Sequence, residues 1–364
     1  MDKRTILWVP EGEPTITNHI HDVELRVRPV SQIMVEATEI MRAGGIVAFP
    51  TETVYGLGAS SLNAQALDAI FVAKNRPRDN PLISHVSSIS QLSMLTPAVQ
   101  PMALRFMRRF WPGPLSILFD VKDELPEQLT AGLAQAAVRM PNHPLALSLI
   151  ATLGQPIAAP SANLSGRPSP TTAEHVLTDL SGRIDGVIAG GAAKVGIEST
   201  VIAVENGRIV ILRPGQISAE ELSSLGYPVV YDPHLEHHQQ DVLPRAPGQK
   251  YRHYAPEGEL TVVTGTTAEV RAYIQQRVFE ANTARLKVGV LTLGETAYEG
   301  ADLQLFLGLV HEPDQIANRL YGALRDCDEA SLDLIFAEGL PDTGRNRAIV
   351  NRLYKASGGR MISL

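Results

Sequence analysis

The sequence predicts an α/β protein with two domains, of which the second is smaller and doubly wound. Its 364 residues are 44% hydrophobic, enough to bury a core in each of two domains. Short apolar runs typical of buried strands alternate with amphipathic helical patterns along most of the chain. A polar, proline-rich stretch interrupts this alternation. The predicted boundaries are an N-terminal extension at 1–24, a first domain at 25–215, a linker at 216–258 and a second domain at 259–364.

The first domain is predicted to alternate helices with short strands. Residues 1–24 show no sustained apolar periodicity and predict no element. Ser31 is a candidate N-cap for a helix that ends at Gly44 and Gly45. Asn206-Gly207 lies between two apolar runs and predicts a β-hairpin of residues 200–204 and 208–212. The other predicted elements are strands at 46–49, 82–86, 115–121, 136–140, 157–159 and 187–189, and helices at 63–74, 101–110 and 145–153.

The second domain shows the same alternation after the linker. The predicted strands are 260–264, 288–293, 303–309 and 332–337, and the predicted helices are 268–280, 313–327 and 348–356. The first of these strands ends in Thr264-Gly-Thr-Thr rather than in a glycine-rich phosphate loop, so no dinucleotide site is predicted there.

Composition limits the possible functions. The formal net charge of -7 and the pI near 5.8 argue against a protein whose main function is to bind nucleic acid. No apolar stretch is long enough for a signal peptide or a membrane span, so we expect no membrane association and a cytoplasmic location. The single cysteine, Cys327, can form neither an internal disulfide nor a thiolate metal cage, and we expect it to be buried in a helix.

Four short polar segments stand beside predicted strands. They are Pro50-Thr-Glu-Thr-Val-Tyr-Gly56, Lys74-Asn-Arg76, Ser161-Ala-Asn163 and Glu198-Ser-Thr200. Cations suit phosphate oxygens, whereas hydroxyls and amides suit a small polar substrate. Turns that leave strands are also where α/β folds collect ligand-binding groups. The four segments together therefore indicate one nucleotide-handling pocket.

Each of these segments also has a purely structural interpretation. The segment at 50–56 could be only a turn, Lys74 and Arg76 only a solvated helix end, and Ser161 with Asn163 only a capping turn. Arg139 lies in an apolar strand and needs an anionic partner, either a substrate carboxylate or an internal acid. The histidines near 234–238 lack the ligand set of a structural zinc site, and the basic-aromatic run 105–111 has the spacing of an amphipathic helix.

The order of the motifs resembles that of the threonylcarbamoyl-AMP synthases with a YrdC-like fold. The resemblance rests on the segment at 50–56, on Lys74-x-Arg76-Pro-x-x-Asn80-Pro-Leu82, on Ala159-Pro-Ser-Ala-Asn-Leu-Ser-Gly166, on Glu198-Ser-Thr-Val201 and on Arg213-Pro-Gly215. Segments 247–256 and 351–353 resemble the long, two-domain members. The resemblance spans roughly residues 30–364. It implies a twisted mixed sheet with flanking helices, followed by a Rossmann-like domain.

The resemblance also implies the reaction and its residues. L-Threonine, bicarbonate and ATP would form threonylcarbamoyl-adenylate and pyrophosphate, with Mg²⁺ on the ATP phosphates. A downstream transferase would then use the product to modify the adenosine beside the tRNA anticodon, with no stable tRNA binding by this chain. The implied threonine-binding residues are Thr53, His85, Arg139, Ser161 and Ser199. The implied ATP-binding residues are Arg76, Asn80, Gln135, Asn163, Thr171, Arg213 and Tyr251, with Lys74 and Arg76 as catalytic residues.

Gln135 departs from the family pattern, in which threonine is frequent at this position, so its nucleotide contact is open. Two other function classes also remain open. An RNA-binding module would need a basic concave surface, which the acidic net charge disfavours. A carbamoyltransferase of the hydrogenase-maturation type would carry cysteine-rich zinc fingers, whereas this chain has one cysteine. The absence of a Ser-His-Asp set suits a reaction that needs positioning and charge stabilisation rather than a side-chain nucleophile.

Overall fold

The computed structural model describes residues 4–13, 23–237, 245–246, 253–295 and 297–364. They divide into two compact units. The first comprises the described residues up to 246, apart from residues 166–168 and 195–197, which group with the second unit together with residues 253–364. Among the described residues, no helix combines the length and the apolar character needed to cross a membrane.

The described residues of the first unit form a mixed sheet of twelve strands. Its strands are β1 (Thr5–Pro10), β2 (Val23–Arg28), β3 (Val47–Phe49), β4 (Gly56–Ser60), β5 (Ile83–His85), β6 (Leu115–Asp120), β7 (Gln135–Arg139), β8 (Ile157–Ala158), β9 (Gly186–Ile188), β10 (Thr200–Glu205), β11 (Arg208–Arg213) and β12 (Val229–Tyr231). Its helices are α1 (Val30–Arg42), α2 (Ala64–Lys74), α3 (Pro101–Phe110), α4 (Glu127–Thr130), α5 (Pro144–Leu153), α6 (Ala173–Leu180), α7 (Ala219–Ser223) and α8 (His234–His237), with a 3-10 helix at Ile89–Met94.

Strand order in this sheet positions the candidate site. The order is β12-β11-β10-β6-β7-β5-β8-β4-β3-β9-β1-β2. β5 and β7 are parallel neighbours, and His85 pairs with Arg139 at the carboxyl ends of these strands. β8 runs antiparallel to both β5 and β4. The segments that follow β3 and β8 meet at the bridge between Gly56 and Ser161, whereas β7 ends at Arg139 beside His85.

Among the described residues, two of the apolar clusters on this sheet join it to helices. One contains α2, α3 and α6 residues such as Ile70, Phe106 and Val176, all fully buried. The other joins α1 and α5, for instance through Met41 and Leu149. The basic-aromatic run in α3 buries Phe106 and Met107 and exposes its three arginines, which confirms the predicted core-facing helix.

Several elements of the first unit escaped the sequence analysis. β1 and β2 begin within the first 24 residues, and β1 pairs on both sides, with β2 and β9. Pro29 rather than Ser31 occupies the N-cap position of α1, and no side chain caps this helix. α7 and β12 lie inside the predicted linker, where β12 extends the sheet beyond the confirmed β10–β11 hairpin. The prolines around them interrupt the apolar periodicity, so their short apolar runs were not recognised as a helix and a strand.

The second unit is built on a five-stranded, all-parallel sheet of order β15-β14-β16-β13-β17. Its elements are β13 (Glu259–Thr264), α9 (Thr267–Thr283), β14 (Val288–Thr292), β15 (Leu303–Phe306), α10 (Pro313–Glu329), β16 (Leu334–Glu338), α11 (Asn346–Ala356) and β17 (Met361–Ser363). The chain moves in opposite directions across the sheet after β13 and after β16. Right-handed crossovers therefore place α9 and α11 on opposite faces. This arrangement confirms the predicted doubly wound fold.

Candidate active site

Arg139, the last residue of β7, is the buried centre of the candidate site. Its Nη1 donates to Thr53 Oγ1 at 2.9 Å, and its Nη2 donates to Glu52 Oε2 at 2.9 Å. Arg139 and Glu52 are 3% and 5% exposed, so this ion pair is shielded from solvent. Burial lowers the pKa of Arg139, although Glu52 acts in the opposite direction. The anionic partner that the apolar strand predicted is therefore an internal acid, Glu52.

His85 ends β5 directly beside Arg139. Burial, reinforced by the positive charge of Arg139, lowers the pKa of His85 to about 3. Its ring and that of Phe49 are nearly perpendicular, at an interplanar angle of 88°, with ring centroids 6.1 Å apart. A neutral imidazole at this position can donate or accept a hydrogen bond without adding a second positive charge to the site.

The loop of residues 50–56 is held by its own hydroxyl groups. Thr51 Oγ1 lies 2.9 Å from Thr53 Oγ1 and donates to the carbonyl of Val54 at 2.7 Å. Tyr55 donates its hydroxyl proton to the carbonyl of Gly191 at 2.8 Å and accepts from the amide of Gly190. These bonds fix the side chain of Thr53 towards Arg139.

The turn of residues 161–163 joins this loop through the backbone. Gly56 forms an isolated antiparallel bridge with Ser161, and the amide of Ala162 donates to the carbonyl of Tyr55. Lys74, buried at the end of α2, donates its ammonium protons to the carbonyls of Ser161 and Asn163. The Ser161 hydroxyl donates to Asn163 Oδ1 at 2.5 Å. Lys74 therefore orders the turn that carries two of the predicted site residues.

Arg76 lies beyond the end of α2, after Asn75 in the left-handed conformation. Its Nη2 donates to the carbonyls of Asn80 and Pro81, at 3.2 and 2.9 Å. Asn80 is 1% exposed. Because residue 83 begins β5, Arg76 and Asn80 lie near the amino end of that strand, while His85 lies at the other end.

Ser199 and Arg213 form a further part of the site beside β10. Arg213 donates to the Ser199 carbonyl from Nε and Nη2, at 3.1 and 3.0 Å, and its Nη2 also lies 3.1 Å from the Ser199 hydroxyl. Ser116 on β6 shares a 2.8 Å hydrogen bond with Ser199. β10 pairs with β6, and β6 pairs with β7. Ser199, directly before β10, therefore lies at the same end of these strands as Arg139.

The structure does not bring all predicted residues to one point. Gln135 starts β7, four residues before Arg139, and donates to Asp120 Oδ1 at 2.9 Å. The two positions are therefore about 13 Å apart along the strand. Thr171 lies before α6, with its hydroxyl 3.3 Å from His175 Nδ1. Tyr251 lies outside the described residues.

Three residues of the site were missed in the sequence analysis: Glu52, Tyr55 and Ser116. Glu52 and Tyr55 lie inside the motif at 50–56, so the motif was recognised but their roles were not. Ser116 is a polar residue in the otherwise apolar strand β6. A buried hydroxyl in such a strand is itself a signal, because it needs a hydrogen-bond partner.

No group of three or more histidine, cysteine, aspartate or glutamate residues in the described part of the chain could hold a metal ion. Cys327 is buried, as predicted, and burial raises the pKa of its thiol to about 12. Neither observation supplies an acidic metal site or a reactive thiol. The described site instead combines cations, hydroxyls and amides with the carboxylate of Glu52, and its cations suit carboxylates and phosphates.

The chain is similar to proteins of one family over both units. Residues 39–215 match the Sua5–YciO–YrdC family, described as telomere recombination, and residues 217–358 match the C-terminal domain of threonylcarbamoyl-AMP synthase. Threonylcarbamoyl-AMP synthase of Bacillus subtilis is 47% identical over 90% of this chain and 93% of its own length. The same enzyme of Pyrococcus abyssi is 44% identical over 90% of this chain and 95% of its own.

Solved structures give the same result. The crystal structure of Pyrococcus abyssi Sua5 complexed with L-threonine is 41% identical in sequence. It superposes with a TM-score of 0.88 and covers 99% of each chain. The chain therefore belongs to the threonylcarbamoyl-AMP synthase family, in the long form that joins a YrdC-like domain to a Sua5 C-terminal domain.

Proposed function

We propose that this protein condenses L-threonine, bicarbonate and ATP into threonylcarbamoyl-AMP and pyrophosphate. The observation that carries the proposal is the buried guanidinium of Arg139, held by Thr53 and Glu52 beside the neutral His85. A guanidinium fits an amino-acid carboxylate, and the neighbouring hydroxyls fit a small polar side chain. The complex of the Pyrococcus abyssi relative with L-threonine supports this choice of substrate.

In the proposed reaction, the ammonium group of threonine releases a proton to solvent, and the resulting neutral amine forms a carbamate with bicarbonate and releases water. An oxygen of the carbamate then attacks the α-phosphorus of ATP, and pyrophosphate leaves. Thr53, His85, Arg139, Ser161 and Ser199 would position the amino acid. Because the attacking group belongs to the substrate, the protein contributes position and charge rather than a nucleophile.

The nucleotide would bind beside the amino acid, along the turn of residues 161–163. Lys74, Arg76 and Arg213 would stabilise negative charge on the phosphates and on the departing pyrophosphate. The residues proposed to contact ATP in addition are Asn80, Gln135, Asn163, Thr171 and Tyr251. Since the described residues contain no acidic metal cluster, Mg²⁺ would be held by the ATP phosphates, where it would neutralise charge.

The proposed product is a small activated molecule, so its use in tRNA modification needs a transferase but no stable RNA binding by this chain. The formal net charge of -7 supports the assignment of RNA binding to the transferase, because a negatively charged protein repels the phosphate backbone. A cytoplasmic location would place the protein with ATP and tRNA. An RNA-binding module without synthase activity is the weaker alternative, because it leaves the buried site around Arg139 without a role.

Product analysis by mass spectrometry tests the proposal directly. We expect threonylcarbamoyl-AMP only when threonine, bicarbonate and ATP are all present, and omission of any one should abolish it. A second arm omits Mg²⁺ and should lose most of the product. Formation of a carbamoyl-adenylate without threonine would instead indicate chemistry of the hydrogenase-maturation type.

A further inference from the structure

The Glu52–Arg139 pair leaves two complementary atoms without a partner in the described part of the chain. Glu52 uses Oε2 to bind Arg139, while its Oε1 is buried and accepts no hydrogen bond from any described residue. Arg139 uses both terminal nitrogens, while its Nε is buried and donates to no described residue. Leaving such charged-group atoms unsatisfied costs free energy in a folded protein. Their presence on the same ion pair therefore points to a ligand that satisfies both.

The neighbouring titratable groups do not compete for Glu52 Oε1. Burial lowers the pKa of His143, although Glu52 acts to raise it, and Lys194 lowers it further. Burial and Arg139 lower the pKa of His85 to about 3. Both imidazoles are therefore neutral near pH 7, and Arg139 is the cation that the described residues place against Glu52. The carboxylate keeps an acceptor oxygen for a further positive group.

An amino acid carries the two charged groups that these two atoms of the pair could bind. Its carboxylate needs an N–H donor such as Arg139 Nε, and its ammonium group needs an acceptor such as Glu52 Oε1. A buried pair with no net charge also accepts a zwitterion without leaving an uncompensated charge in the interior. A simple anion, such as a carboxylic acid without an amine, would satisfy only Arg139.

We propose that Glu52 recognises the α-ammonium group of the substrate through Oε1, while Oε2 holds Arg139 in position for the carboxylate. The inference rests on the proposed binding of threonine at Arg139 and adds a residue that selects amino acids over hydroxy acids. It assigns Glu52 two functions, one for each carboxylate oxygen. The experiment must therefore separate ammonium recognition from the support of Arg139.

The Glu52→Gln variant makes this separation with two ligands. Glutamine can still accept a hydrogen bond from Arg139 but carries no charge for an ammonium group. The ligands are L-threonine and (R)-3-hydroxybutyrate, which keeps the carboxylate and the hydroxyl but lacks the amine. Dissociation constants are measured by calorimetry or ligand-observed NMR without ATP, and the matched control is Glu36→Gln, which removes a carboxylate that binds Trp8 and Arg26.

We expect the dissociation constant for threonine to rise by about 30-fold to 100-fold in Glu52→Gln. Binding of (R)-3-hydroxybutyrate should be unchanged or tighter, since a negative charge beside its carboxylate is removed. Glu36→Gln should change neither. Equal weakening of both ligands would mean that Glu52 only supports Arg139, and an unchanged preference for threonine would also overturn the inference.

Two further measurements keep the result interpretable. Glu52→Asp retains the charge but withdraws the carboxylate, so it should reduce the preference for threonine even if Glu52→Gln does not fold. In the unmodified protein the preference for threonine over (R)-3-hydroxybutyrate should exceed about 30-fold, and equal affinities would refute ammonium recognition. If the unmodified protein bound no threonine at all, the proposed function itself would fail.

Discussion

Burying Glu52 and Arg139 together incurs a desolvation cost that surface ion pairs avoid. Such a pair is weak evidence for stability, but it fixes the direction of both side chains and excludes water from the charges it presents. Thr53 Oγ1 restrains Arg139 Nη1 from a second side, and Thr51 restrains Thr53 in turn. At the scale of single residues, the candidate site is thus a pre-ordered charge arrangement, which suits a reaction that depends on positioning.

The positive charge of Arg76 is the first target for mutation. Arg76→Ala should lower kcat/KM for ATP by about tenfold to 150-fold, because losing a charge-assisted contact to phosphate costs about 1.5–3 kcal/mol. Pyrophosphate release measures this loss. Arg78→Ala is the matched control, since Arg78 is exposed and pairs with Asp68. Near-normal turnover by a folded Arg76→Ala protein would contradict the assignment.

His85 makes the stability of the first unit depend on pH. Its pKa is about 3 in the folded protein and about 6.5 in an unfolded chain, so the unfolded state binds an additional proton between these values. Stability is therefore complete above about pH 6.5 and falls as the pH decreases towards 3. From pH 7.5 to pH 5, the contribution of His85 to the free energy of unfolding should fall by about 2 kcal/mol. The lowered pKa of His143 acts in the same direction.

Urea unfolding at the two pH values tests this linkage. The loss of stability on acidification should be smaller in His85→Gln, because glutamine does not titrate. His311→Gln, at an exposed position, should retain the full loss. An identical pH dependence in His85→Gln and the unmodified protein would show that His85 is not the responsible group.

The sequence predicted the types of chemical group in the site better than it predicted which side chains pair with each other. Arg139 in an apolar strand predicted an anionic partner, but not whether that partner would be internal or a ligand. The partner Glu52 lies 87 positions away in the sequence, and only the order of strands brings the two together. Gln135 shows the reverse case. Its position four residues before Arg139 placed it in the motif, whereas the straight strand between them separates the two side chains.

At the scale of elements, the β10–β11 hairpin depends on its two turn residues. Asn206 and Gly207 both have positive φ angles, of 49° and 77°, as a tight hairpin turn requires. Asparagine tolerates this region and glycine has no Cβ to resist it. The turn therefore sets the register that pairs Val204 with Ile209.

Gly207→Ala should destabilise the first unit by about 1–2 kcal/mol, because the added Cβ disfavours a positive φ. No atom lies within 4 Å of that Cβ position, so steric contact adds nothing. Gly322→Ala is a control of opposite sign. Gly322 lies inside α10 with free space around its Cβ position, so alanine should stabilise the second unit by up to about 1 kcal/mol. Equal effects of the two substitutions in urea unfolding would refute the turn argument.

Elements with strong local signals were predicted, and elements selected by packing were not. The Asn-Gly turn specified its hairpin locally. β4, of sequence Gly-Leu-Gly-Ala-Ser, has the composition of a loop because small residues are depleted in strands. Its glycines are required by neighbours, since a Cβ on Gly58 would lie 2.7 Å from both Phe49 and Ile157. That requirement exists only once the sheet has formed.

At the scale of the whole molecule, the two units differ in how their sheets are connected. In the larger sheet β8 lies between β5 and β4, and β9 lies between β3 and β1, so strands far apart in sequence alternate. No local pattern encodes such an order, which is why the sequence predicted most of these strands but not their arrangement. The smaller sheet is formed entirely by residues 259–363, in parallel crossovers that follow a general rule of handedness.

This difference predicts that the second unit folds alone. A fragment of residues 257–364 contains all strands of the smaller sheet and the core residues Val263, Ile274, Val288 and Phe336. It also retains the hydrogen bond from the Glu257 amide to Asp328. Since the apolar contacts that stabilise this core lie within the fragment, we expect native α/β circular dichroism and a cooperative urea transition. The fragment should release no pyrophosphate with threonine, bicarbonate and ATP, because the described candidate site residues all lie in the first unit. A fragment that shows no cooperative transition would mean that this core depends on the rest of the chain.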